Sequence, residues 1–186
     1  MRSITNRVLV IDDIANRIHD CDVLLDQNYY ADAEHRYLGI TPPNCSLLLG
    51  PKYALLGREY LGLRPTAKTR CAPAKRVLVF FGGSDAINFT ERAIAALALH
   101  ARDLTKVNVV IGLQHPNIDD IRSQCDARGF ECHVQTSRMA ELIVDADLAI
   151  GAGGTNTLER CSLGLPTLVV AVADNQIRAA RDIAML

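Results

Sequence analysis

Leu148-Ala149-Ile150-Gly151-Ala152-Gly153-Gly154-Thr155-Asn156-Thr157-Leu158-Glu159-Arg160 is the stretch that decides the fold. A short apolar run enters a turn of small residues, and a polar triplet then opens a helical pattern that runs to Leu163. Gly164 stops that pattern, Pro166 bars its continuation, and Thr167 to Ala171 reads as the next strand. Strand, glycine turn and helix in succession make the repeating unit of a parallel α/β sheet. The same order recurs upstream. Arg76 to Phe81 reads as a strand and runs into Gly82-Gly83-Ser84-Asp85. A helix then starts near Asn88, with Glu91 placed as a capping-box partner. Phe89, Ala93, Ile94 and Leu97 share its apolar face. Strands follow at 107–111 and 131–134, with helices through Ile118, Ile121 and Cys125 and through Met139, Leu142 and Ile143. A last helix is expected over 176–186. The right-handed crossover rule puts both glycine turns at the carboxyl edge of the sheet, where open α/β folds bind ligands.

The N-terminal part is sparser. Strands are expected at 7–11, 23–25 and 46–49, and the 31–39 stretch fits a helical turn or a loop. From Gly57 to Lys75, glycines, prolines and charges break the pattern, which reads as a linker with a short helix at 58–61. The expected organisation is therefore an N-terminal lobe over 1–57, a linker over 58–75 and a C-terminal lobe over 76–186.

The chain has 186 residues, 49% hydrophobic and 22% charged, with Lys+Arg 20 against Asp+Glu 21 and a formal net charge of −1. That balance argues against a surface built to neutralise a nucleic acid, and the apolar content argues against disorder. No uninterrupted apolar run reaches membrane-span length. The charged start leads straight into Val8-Leu9-Val10-Ile11 without a signal-peptide core, which reads as cytoplasmic. Cys21, Cys45, Cys71, Cys125, Cys132 and Cys161 form no Cys-x-x-Cys and no zinc pattern with the histidines, so packing roles are expected.

Chemistry concentrates at the turns. Gly153, Gly154 and Thr155 let the backbone approach a ligand closely and leave helix-start N–H groups free, which suits a phosphate or diphosphate. Glu159 stands about one turn in, where a carboxylate can accept hydrogen bonds from a ribose diol. A tight strand-to-helix turn with Glu159 as helix support reads equally well. Gly82, Gly83 and Ser84 form a second turn of either kind, and together the two turns can floor a cleft. Asp174-Asn175-Gln176 follows a strand, where Asn175 and Gln176 can bond a sugar or pyrophosphate oxygen or a helix cap can form. Asp26 to Tyr30 reads as a cleft lining or a tyrosine-packed loop, Asp12 and Asp13 as a loop cap, and His19 and His35 as surface residues. No nucleophile elbow, triad or metal set is present.

At these residues the chain resembles a known family. The resemblance rests on Val8-Leu9-Val10-Ile11-Asp12-Asp13, Cys21-Asp22-Val23-Leu24-Leu25-Asp26-Gln27-Asn28 and Leu49-Gly50-Pro51-Lys52-Tyr53-Ala54-Leu55-Leu56. Phe80-Phe81-Gly82-Gly83-Ser84-Asp85, the 151–155 turn with Glu159, and Asp174-Asn175-Gln176 complete it. The family is that of the PseG-type UDP-2,4-diacetamido-2,4,6-trideoxy-β-L-altropyranose hydrolases of pseudaminic acid biosynthesis, which includes SpsG-like polysaccharide proteins. More distantly the chain is similar to MurG-type glycosyltransferases.

The resemblance implies a GT-B-like α/β fold of two Rossmann-type lobes with parallel sheets. It also implies a UDP-sugar substrate between the lobes and no metal or cofactor. Gly153, Gly154 and Thr155 would then meet the diphosphate, Glu159 the ribose, and Asn175 the substrate, with Tyr53 and Ala54 near the interlobe crossing. The implied reaction is inverting attack of water at the anomeric carbon, releasing UDP. The family's general base is a histidine in a Gly-x-Gly-His loop, which this sequence lacks, and Gly57 stands where the family usually has arginine. The N-terminal lobe is therefore expected to be incomplete and the C-terminal lobe truncated, so no catalytic base is assigned. A transferase using the same donor, and a UDP-binding fragment without activity, are the alternatives.

Overall fold

A computed structural model describes residues 5–66 and 69–185. The first residues of the charged start, Ala67 and Lys68 of the expected linker, and Leu186 lie outside the described residues. The chain divides into two compact units. One takes the described residues up to Leu55 together with those from Ala173 onward, and the other runs from Leu56 to Val172.

The first unit carries a three-stranded parallel sheet, β1 (Leu9–Ile11), β2 (Val23–Asp26) and β3 (Ser46–Leu49), paired in chain order. A single helical turn, α1 (Ala33–Arg36), lies between β2 and β3. Val8, Cys21, Leu24 and Tyr37 form its buried centre. Tyr37 donates to Asp26 Oδ2 at 2.9 Å, and Arg36 Nη1 reaches the same oxygen at 2.7 Å. Asp12 Oδ2 accepts from the Ala15 N–H at 2.8 Å, the loop cap expected of it. His19 departs from expectation: it is buried, with Nε2 3.6 Å from Asp12 Oδ2, because the loop after β1 folds back and encloses it.

The second unit is the better-formed sheet. It holds α2 (Arg58–Leu63), β4 (Arg76–Phe80), α3 (Phe89–Ala98), β5 (Lys106–Ile111), α4 (Ile118–Asp126) and β6 (Glu131–Val134). After these come α5 (Met139–Asp145), β7 (Leu148–Ala152), α6 (Asn156–Ser162) and β8 (Thr167–Val170). All pairings are parallel, in the order β6-β5-β4-β7-β8. Alternation along the strands sorts the core, since successive side chains point to opposite faces. Val77, Val79 and Phe81 pack with Ile94 and Leu97 of α3 and Ile121 and Cys125 of α4. Leu78 and Val110 pack on the other face with Ala140, Leu142 and Ile143 of α5. Both faces are covered, which explains why the strands read as continuous apolar runs.

The expected capping box is half formed. Asn88, with φ 56°, accepts from the Glu91 N–H at 3.4 Å, while Glu91 accepts from the Asn88 side-chain amide at 2.6 Å. The Asn88 backbone N–H is already committed to the Asp85 carbonyl.

Two expected boundaries need correction. The 58–75 stretch is not a free linker: α2 inserts Tyr60 into the core beside Leu163 and Leu165. Arg70 then donates to the carbonyls of Ile143, Ala146, Leu163 and Gly164 at 2.7–3.0 Å. Those carbonyls end α5 and α6 and have no helical partner of their own, so a charged donor there serves both helices. The final helix, α7 (Asp174–Ala184), groups with the first unit, where the Ala31 N–H donates to Asp182 at 3.0 Å. No helix among the described residues is long and apolar enough to cross a membrane.

Candidate functional site

In the second unit β4 is flanked by β5 and β7, so the strand order reverses between β4 and β7. Open α/β sheets bind ligands outside the carboxyl ends of strands at such a switch point. Both expected glycine turns stand there. Phe80 and Gly151 are register partners, and the turns follow at once.

Close backbone approach dictates the small residues. A Cβ on Gly151 would lie 2.3 Å from the Phe80 carbonyl oxygen, and one on Gly112 would lie 2.2 Å from that of Gly83. Gly82 has φ 99°, a conformation that disfavours any side chain. Gly83, Ser84 and Thr155 are exposed, and Gly82, Gly153 and Gly154 are half-buried. Asp85 is structural: its carboxylate accepts from the Phe89 and Thr90 N–H groups and from the Thr90 hydroxyl at 2.7–3.0 Å. His115 packs beside it, its Nδ1 accepting from the Asn117 N–H at 3.1 Å and its Nε2 lying 3.7 Å from Asp85.

Thr155 precedes α6 without a side-chain cap bond, and the pairing of Ala152 with Val170 directs the Gly153 N–H toward β8. Glu159 is half-buried on α6. The Asn156 side-chain amide donates to its carboxylate, and the Tyr60 hydroxyl lies near enough to feel its charge. Burial raises the Tyr60 hydroxyl above its ordinary value, and the adjacent Glu159 carboxylate raises it further, so Tyr60 stays a donor. Arg160 is 2% exposed and donates to Ala152 O at 2.8 Å and Thr157 Oγ1 at 3.2 Å. Burial lowers its ordinarily high pKa.

The second unit thus brings together Gly82, Gly83, Ser84, Gly153, Gly154, Thr155 and Glu159. Tyr53, Ala54, Asn175 and Gln176 belong to the first unit. Tyr53 and Ala54 are half-buried around a single turn of 3-10 helix, Pro51–Tyr53, with the Lys52 ammonium 4.9 Å from the Tyr53 ring centre. Asn175 is exposed and lines an open cavity of about 380 Å³ with Asp13, Tyr30, Arg36 and Arg178. Gln176 is half-buried, its N–H bonded to Ala173 O at 3.0 Å. Neither Asp174 nor Asn175 caps α7; Ala173 holds that position without a side-chain bond. Tyr30 lies under the Arg36 guanidinium at 3.4 Å, so the 26–30 loop is tyrosine-packed and also lines the cavity.

Sequence reasoning missed Tyr60 and Arg160. Leu56, Tyr60 and Leu63 fall at helical spacing inside the presumed linker, and Arg160 lies one turn from the buried Thr157, so a periodic signal existed for both.

Residues 77–185 match the glycosyltransferase family 28 C-terminal domain. The spore coat polysaccharide biosynthesis protein SpsG of Bacillus subtilis is 30% identical over 146 residues, covering 76% of this chain and 42% of that protein. An uncharacterized protein of Methanocaldococcus jannaschii, MJ1062, is 29% identical over 65% of this chain and 26% of its own length. The UDP-N-acetylglucosamine--N-acetylmuramyl-(pentapeptide) pyrophosphoryl-undecaprenol N-acetylglucosamine transferase of Sulfurovum is 33% identical over 53% of this chain and 31% of its own length. Among solved structures, Acinetobacter baumannii MurG aligns with a TM-score of 0.55 at 16% identity, covering 99% of this chain and 52% of that one. The chain therefore spans between about a quarter and about half of these relatives. The parallel sheets and this likeness establish a Rossmann-like fold of the GT-B type.

Proposed function

The chain belongs to glycosyltransferase family 28 through its C-terminal domain, and from that premise we propose that its 56–172 unit binds the UDP portion of a UDP-sugar. The observation that carries this reading is the pair of glycine turns at adjacent strand ends of the switch point, with Glu159 on the helix that follows. Close backbone approach at the Gly153–Gly154 turn suits the diphosphate, and Glu159 suits the ribose hydroxyls.

The reaction we assign is hydrolysis of a UDP-2,4-diacetamido-2,4,6-trideoxyhexose of the pseudaminic acid type. Water attacks the anomeric carbon as the bond to the diphosphate oxygen breaks, configuration inverts, and UDP leaves with its charge met by the glycine-turn donors. A second reading, transfer of the sugar to an acceptor hydroxyl, draws support from the Sulfurovum relative, which is named as a transferase. Product analysis separates the two. Incubation of the chain with the UDP-sugar should release UDP and a free reducing sugar. Release that needs an acceptor and yields a glycoside would replace hydrolysis by transfer, and absence of UDP binding would overturn both.

A further inference from the structure

Two cysteine sulfurs meet in the first unit. Cys21 Sγ and Cys45 Sγ lie 3.6 Å apart, in contact but unbonded. Cys21 stands just before β2 and Cys45 just before β3, and those strands are parallel neighbours. The Ser46 N–H donates to the Asp22 carbonyl at 2.9 Å, and the Asp22 N–H donates to that of Val8 at 2.9 Å. Backbone bonds therefore fix the chain beside each sulfur, and the sheet itself holds the two thiols together.

The two thiols are not equally reachable. Cys21 is 1% exposed and packs with Leu24 and Tyr37, whereas Cys45 is half-buried. A reachable thiol with a second in contact behind it is what thiol–disulfide exchange requires: the first takes up the oxidant, and the second resolves the mixed disulfide. Closing from 3.6 Å to a bond of about 2.05 Å moves the sulfurs by about 1.5 Å, within the range of side-chain rotation.

We propose that Cys21 and Cys45 form a reversible disulfide, a redox-operated tether between the starts of β2 and β3, with a small-molecule disulfide such as oxidised glutathione as the oxidant. The Cys45 thiolate attacks one sulfur of the oxidant, whose S–S bond breaks and releases one thiolate, leaving a mixed disulfide on Cys45. The Cys21 thiolate then attacks the Cys45 sulfur, the new S–S bond forms, and the second thiolate leaves. The two cysteine protons end on the two departing thiolates, and the oxidant gains the two electrons that the cysteines lose. The tether encloses the segment that carries Asp26, Tyr30 and Arg36 and restricts that segment in the unfolded chain.

Incubation of the folded full chain with oxidised glutathione tests it, read by tryptic digestion and mass spectrometry without reduction. Cys21 and Cys45 fall in separate tryptic peptides, 18–36 and 37–52. The expected product is these two peptides joined, two hydrogens lighter than their sum and separated again by dithiothreitol. Cys21→Ala should stop at glutathione on Cys45, and Cys45→Ser should leave Cys21 unmodified. The exposed Cys71 and Cys161 should carry glutathione in every sample, which shows that the oxidant is active. The oxidised wild type should also unfold at a higher temperature than the reduced protein by roughly 3 °C or more, a shift absent from Cys45→Ser treated alike. A wild type that keeps glutathione on Cys45, or leaves both thiols reduced while Cys71 and Cys161 react, overturns the proposal. Joining only in the presence of urea, or joining without a rise in unfolding temperature, overturns it as well. If Cys21→Ala does not fold, the wild type and Cys45→Ser decide.

Discussion

The hydroxyl of Tyr60, on α2, already raised in pKa by burial, stands close enough to the carboxylate of Glu159, on α6, for that charge to raise it further. Tyr60 is 6% exposed and packs in the core, while Glu159 receives the Asn156 amide. The carboxylate is thus held by Asn156 and flanked by Tyr60, with lone pairs left over for a diol.

Tyr60→Phe removes the hydroxyl and keeps the packing. It should weaken UDP binding by roughly threefold to tenfold, an indirect effect smaller than the loss of a direct hydrogen bond to a charged group. The affinity for 2′,3′-dideoxy-UDP should not change. Equal weakening of both ligands would show that the hydroxyl serves folding rather than the carboxylate.

The glycine turns should be intolerant of a single methyl group. Gly112→Ala would set a Cβ 2.2 Å from the Gly83 carbonyl oxygen, and backbone cannot yield as a flexible side chain can. Overpacking of this kind costs about 1–3 kcal/mol. Urea unfolding should show that loss, and an unaltered midpoint would contradict the packing at this edge.

Arg70 supplies the last turns of two helices at once. Arg70→Ala leaves the carbonyls of Ile143, Ala146, Leu163 and Gly164 without their charged donor. A loss of about 2–4 kcal/mol is expected, since hydrogen bonds from a charged group are worth more than neutral ones. Thermal unfolding measures it, and a variant as stable as the wild type would mean that water replaces the guanidinium freely.

Acid stability should depend on Asp147. The Arg76 guanidinium, bonded at 2.6 Å, holds its carboxyl down to about 2, helped by the Lys75 and Arg76 N–H groups. A carboxyl lowered on folding stabilises the protein above its ordinary value near 4, and the benefit disappears as pH falls through about 2. With the Arg76 side chain 31% exposed, solvent screening reduces the benefit to about 1–2 kcal/mol. Asp147→Asn should be less stable at neutral pH by that amount, and the gap should close between pH 4 and 2. A gap independent of pH would contradict the ion pair.

The second unit was legible because its strands are continuous apolar runs and its turns are glycine pairs at fixed places. Val77 to Phe80 and Leu148 to Ile150 announce themselves by burial on both faces, and Gly151 and Gly82 by the backbone geometry they must adopt. Tyr60 and Arg70 were hidden because Gly57, Gly62 and Pro65 break the pattern around them. Their roles depend on residues about a hundred positions away, which periodicity cannot report. His19 was misread for a related reason: its polar neighbours in sequence are not its neighbours in space. The membership of α7 in the first unit was equally invisible, since a helix after the last strand looks locally like one more element of the same sheet.

The central claim is that UDP is held at the Gly153 turn with Glu159 on its ribose. Calorimetric titration of the full chain with UDP, beside Glu159→Ala, tests it most directly. Saturable binding by the wild type, weakened at least tenfold in a variant that remains folded, is the expected result. Equal affinity in the two proteins, or no binding by a folded wild type, would contradict it.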